Sequence, residues 1–113
     1  MAAYKVWQLE FGLTWGVPPE VDALVTEGFL VDDSWHNDCC ASFGHPLSGD
    51  RRVVLYVDHV NPEDREYLEN HRFTVAINTS DGDYAQSYNG DDLAAALTEL
   101  HVVCQKEALL SGE

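Results

Sequence analysis

Positive charge is what this sequence has least of. Six Lys and Arg stand against 20 Asp and Glu, a formal net charge of −14 over 113 residues, and Lys5 and Lys106 are its only lysines. Binding nucleic acid or an anionic membrane means neutralising phosphates with cations, so neither is expected as a direct partner. The same field attracts basic surfaces and speeds association with them. Cysteine is also scarce: there are three, an odd number, with Cys39 and Cys40 adjacent. That is a poor disulfide framework and suits free thiols in a reducing cytoplasm, the expected location. No apolar run approaches the length of a membrane span. The opening residues MAAYKVWQLE lack a cationic segment followed by an apolar one, so no secretory signal is expected. Neither G-x-G-x-x-G nor G-x-x-x-x-G-K-[ST] occurs, which leaves no phosphate-binding loop. Repeats, linkers and low-complexity stretches are absent as well.

Hydrophobic residues make up 45% of the chain, enough for one core without a metal or disulfide staple, and the length fits a single domain over 1–113. The segment KVWQLEFGLTW alternates, with Trp7, Leu9, Phe11, Leu13 and Trp15 on one parity, which predicts a half-buried strand. Pro18, Pro19 and Glu20 open a helix whose inward stripe is Val21, Leu24 and Val25, and Gly28 ends it. FLVDDSWHNDCCASF reads as a second strand, Trp35, Cys39, Ala41 and Phe43 facing the core and His36, Asp38, Cys40 and Ser42 facing away. RRVVLYVDHV is rich in β-branched and aromatic residues and predicts a third. NPEDREYLENH carries a capping Asn61, Pro62 at the first helical position and early acids, which predict a helix. RFTVAIN and YAQSY flank an Asp-Gly turn, a hairpin signal. The last helix, started by Asn89 or Gly90, carries Leu93, Leu97, Leu100, Cys104 and Ala108 on one stripe. The expected class is α+β, a mostly antiparallel sheet with helices on one face. The expected order is β-α-β-β-α-β-β-α: a ferredoxin-like core plus an extra strand and a C-terminal helix.

Three kinds of chemistry can be weighed in SWHNDCCASFGH and its surroundings. His36 and Cys39 with His101 and Cys104 make a Cys2His2 set of the types zinc prefers. On a strand, however, His36 and Cys39 point to opposite faces, and Cys104 falls on an apolar helix stripe. A Cys39 or Cys40 nucleophile would need a nearby base and a lowered pKa, and no helix N-terminus is expected there to lower it. Packing of Cys39 with Trp35, Ala41 and Phe43 is the plainer reading. NTSDGDYAQSYNGDD fails the calcium-loop template, since setting Gly82 at the sixth position puts Ile77 at the first. No cofactor, no metal and no catalytic residue are therefore expected.

The acidic surface remains. Asp32, Asp33 and Asp38 flank the cysteines, Asp58, Glu63, Asp64 and Glu66 form a second group, and Asp81, Asp83, Asp91 and Asp92 a third. Carboxylates on a small rigid domain can imitate a row of phosphates and occupy the basic surface of a nucleic-acid-binding protein. In size and acidity, though in no particular residue, the chain is like the small inhibitors of anti-restriction or anti-CRISPR type that phages and mobile elements use against host nucleic-acid machinery. The leading expectation is thus a non-catalytic acidic binding protein. The alternatives are a small metal-binding or cysteine-dependent enzyme centred on residues 34–45, and a domain from a salt-adapted host that dimerises through its sheet.

Overall fold

A computed structural model describes residues 5–36, 38–66 and 70–110, with residues 108–110 by their backbone. Two helices come first: α1 (Val6–Phe11), followed by a 3-10 turn at Leu13–Trp15, and α2 (Pro19–Thr26). Five strands follow: β1 (Val31–Asp32), β2 (Ala41–Pro46), β3 (Arg52–Val57), β4 (Phe73–Asn78) and β5 (Tyr84–Gly90). Helix α3 (Leu93–Leu110) ends the described chain. The strands form one antiparallel sheet in the order β1-β2-β3-β4-β5, each beside its neighbour in sequence. The class is α+β as expected, but the order is not: a meander framed by helices replaces the split β-α-β arrangement with its crossovers.

The first correction is at the N-terminus. Trp7, Phe11 and Trp15 lie four residues apart, so an alternation of two and a helical repeat select the same three side chains. Leu9 and Leu13 separate the cases: they are 67% and 60% exposed, while Trp7 and Trp15 are buried. Gly12, at φ 94°, lets the chain break between the two short helical pieces. Tethers hold them to the body: Trp7 N–H donates to Asp32 (3.0 Å), its indole Nε1 to Asp22 (3.0 Å), and Trp15 Nε1 to the carbonyl of Val57 (2.8 Å). Helix α2 follows the sequence reading. Gly28 (φ 86°) closes it, with Gly28 N–H bonded to Val25 O and Phe29 N–H to Leu24 O.

The second correction is at residues 34–40. Residues 34–36 and 38–40 form a turn, not a strand, while Asn37 lies outside the described residues: Asp33 N–H bonds to Ser42 O and Asp38 N–H to Trp35 O. Alternation therefore starts only at Ala41. Trp35 is 51% exposed, Cys39 is exposed, and Cys40 is the buried thiol at 5%, reversing the expected roles of the pair. Side chains bonding the backbone locally favour such a turn over a strand: Asp32 accepts from Ser34 N–H and Ser34 Oγ from Ser42 N–H, both at 3.1 Å. The third correction concerns residues 61–71. Asn61 does cap, its Oδ1 accepting from Glu63 N–H at 3.1 Å. Only a 3-10 turn follows (Pro62–Asp64), and Arg65 is extended; residues 67–69 of the expected helix lie outside the described residues. Buried Arg65 organises this segment by donating to the carbonyls of His59 and Asn70, both at 2.8 Å. Asp92, rather than Asn89 or Gly90, caps α3, accepting from the N–H groups of Ala94 and Ala95.

Register divides the sheet into two faces. Phe43, Leu55 and Val75 stand opposite one another, as do Ala41, Val57 and Phe73. All six join Trp7, Trp15, Val21, Ala96, Leu100 and Val103 in one core, so the helices cover this face. Between β4 and β5 the register shifts: Val75 faces Tyr88 and Ala76 faces Gln86, leaving Ser87 as an extra bulged residue. The bulge lets Tyr88 pack on the core while Gln86 stays on the other face.

Candidate functional site: the open face of the sheet

The residues one step along each strand build the second face. Ser42, Tyr56, Thr74 and Asn89 form one row; Gly44, Val54, Ala76 and Gln86 the next; Pro46, Arg52, Asn78 and Tyr84 the third. No helix covers this face among the described residues. Polar bridges seal its middle row instead. Asn78 Nδ2 donates to Tyr56 OH at 2.8 Å, crossing beside Val54 and Ala76, both fully buried. Arg52 pairs with Asp33 at 2.6 Å over Gly44, where a Cβ would approach Arg52 Nη2 to 2.9 Å.

A cleft of about 380 Å³ opens at the first row, lined by Cys39, Cys40, Tyr56, Asp58, Thr74, Tyr84 and neighbouring amides. Asp58 is buried within it, accepting from His59 N–H (2.8 Å) and Asn70 Nδ2 (3.2 Å). The sulfurs of Cys39 and Cys40 lie 4.0 Å apart. The side-chain hydrogen bond with Cys40 draws Cys39 down to about 7, against burial and the charges of Asp58 and Glu66. The same interaction, with burial, pushes Cys40 far up, so the pair gives up one proton readily and holds the other. His71, an imidazole lining the cleft, bonds to Asp91 (3.3 Å).

The four-residue zinc set is not assembled. His36 bonds to Glu10 on α1 (3.1 Å), His101 lies against Phe29, and Cys104 is half-buried on α3. Among the described residues, no group of three or more His, Cys, Asp or Glu is placed to hold a metal.

The acidic residues divide by duty. Asp32 and Asp33 tie α1 and Arg52 to the sheet, Asp58 lies in its buried network, Asp91 accepts from Arg72 N–H (2.8 Å), and Asp92 caps α3. Arg72 and His71 hold the Asp91 carboxyl below its ordinary value. Asp38, Glu63, Asp64, Glu66, Asp81 and Asp83 are exposed. They stand at opposite ends of the open face: Asp81 and Asp83 on the β4–β5 turn, the other four where β3 ends and β2 begins.

Five of the six cations have partners within the protein. Arg51 pairs with Glu107, Arg52 with Asp33, Lys5 with Asp22, while Arg65 and Arg72 donate to backbone carbonyls. Charge counting could not show that. Nor did it find Tyr56, Thr74, Asn78, Tyr84 and Gln86 as site residues. Their signal was the polar parity of RVVLYV, FTVAIN and YAQSYNG, legible once the strands are paired.

Among the described residues, no helix is long and apolar enough to cross a membrane. Compared with protein-family models, curated proteins and solved structures, the chain shows no match.

Proposed function

We propose that this protein is a non-catalytic acidic binding domain that docks its open sheet face on the basic surface of a nucleic-acid-binding protein. The observation that carries this reading is the separation of charges. Five of the six cations are spent on internal partners, while carboxylates stand free at both ends of a polar, tyrosine-bearing face. The β3 strand separates those ends by roughly 17–20 Å, a span over which fixed carboxylates can meet several cations of a nucleic-acid groove. Such an array acts mainly on association rate and on partner choice. Tyr56 and Tyr84, between the two ends, add apolar area with a hydroxyl handle.

The test is binding to nucleic-acid-binding proteins of the native host, measured from about 50 to about 500 mM salt, where the screening length falls to a few ångström. Affinity should fall steeply with salt, double-stranded DNA should compete, and changing Asp38, Glu66, Asp81 and Asp83 to their amides should slow association by about tenfold or more. Salt-independent binding, or no binding to any basic partner, overturns the reading.

A further inference from the structure

Docking by charge makes no use of the paired thiols at the end of the cleft, and they carry a separate inference. Cys39 and Cys40 are chain neighbours, yet their sulfurs lie within 4.0 Å of each other. Two outcomes are open to such a pair, and distance decides between them. Neighbouring Cα atoms are about 3.8 Å apart across a trans peptide, shorter than the roughly 4.4–6.8 Å that ordinary disulfides span. Closing a sulfur–sulfur bond would therefore strain the backbone. A metal ion needs no such closure. With metal–sulfur bonds of about 2.3 Å, sulfurs 4.0 Å apart subtend about 120° at the metal, the angle of trigonal coordination.

We propose that Cys39 and Cys40 form a two-thiolate chelate for a soft d10 cation of the copper(I) class. Thiolates select soft cations. Zinc would require further protein ligands, and no group of three or more is placed to supply them among the described residues. Copper(I) is satisfied at low coordination number, and an exogenous thiol or water entering the open cleft would complete the trigonal plane. Asp38, Asp58 and Glu66 act electrostatically on the sulfurs and add to the attraction for a cation. On binding, two S–H bonds break, two metal–sulfur bonds form and two protons leave to solvent; no electron moves. Cys104, on α3, takes no part.

The experiment is anaerobic titration of the reduced protein with copper(I) against the chromophoric chelator bicinchoninate. One copper per chain is expected, with thiolate-to-copper absorption in the near ultraviolet. Cys39→Ser and Cys40→Ser should abolish it, and Cys104→Ser should leave it unchanged. Cys39 is exposed, so its variant reads the site without disturbing the core; circular dichroism checks the fold of the Cys40 variant. Copper retained in Cys39→Ser, no uptake by the wild type, or zinc held in preference at one equivalent would each overturn the assignment. None of these outcomes depends on whether the acidic face binds a basic partner.

Discussion

The two faces of the sheet come from the same strands, one residue out of step, and they answer to different physics. On the helix-covered face Phe43, Leu55, Val75 and Phe73 are almost wholly removed from water and belong to one apolar cluster. On the open face the equivalent positions hold Ser42, Tyr56, Thr74 and Asn89, graded from buried to exposed, and cohesion there comes from directed bonds such as Asn78 to Tyr56. The first face is disturbed by changing volume or by burying a polar atom without a partner. The second can be disturbed by removing a single partner atom, and its outer rim can be changed with little effect on folding.

The sharpest way to break this contrast is Phe43→Ala, which opens a cavity at a fully buried site and should cost about 3–5 kcal/mol in a urea titration. A loss under about 1 kcal/mol would mean that the helices do not pack on this face. Next comes Asp58→Ala at the closed end of the cleft. It removes the acceptor of His59 N–H and Asn70 Nδ2 in a buried place and should cost about 1–3 kcal/mol. Smaller, and present only above the acid range, is the effect of Glu107→Gln. Arg51 and Ser48 hold the Glu107 carboxyl below 4.5, so its contribution is complete above that value and fades as pH falls through the lowered one. The wild type should lose stability below about pH 4.5, and the variant should show a shallower decline in urea midpoint over that range. A decline of unchanged steepness would place the acid sensitivity in other carboxylates, Asp91 first. The smallest effect belongs to Tyr84→Ala on the open rim, 54% exposed: stability should stay within about 0.5 kcal/mol while partner affinity falls.

Strands β3, β4 and β5, the Asp-Gly hairpin, α2 with Gly28 as its stop, and α3 were legible because each carries its own local signal: β-branched runs, a turn pair, a helical stripe. What could not be read locally was decided by tertiary contacts. Trp7, Phe11 and Trp15 satisfy two periodicities, and only the exposure of Leu9 and Leu13 tells them apart. The assignment of Cys39 and Cys40 to faces depended on where the strand begins, and an error of that kind inverts every residue counted through it. The individual carboxylates were visible, but which of them are free was not. That depends on where Arg51, Arg52, Arg65 and Arg72 find partners, some of them more than 50 residues away.

The bulge at Ser87 has a consequence for how the chain length can change. Its hydroxyl donates to Val75 O at 3.3 Å, beside the point where the register shifts. Deleting Ser87 would close the ladder with Gln86 still beside Ala76 and Tyr88 still beside Val75. Deleting a residue from β3, which is paired on both sides without a bulge, would instead exchange the faces beyond the cut. Length drift over descent is therefore tolerable at one position of the outer strand and forbidden at its interior neighbours, so the open face can change its outline without surrendering the core.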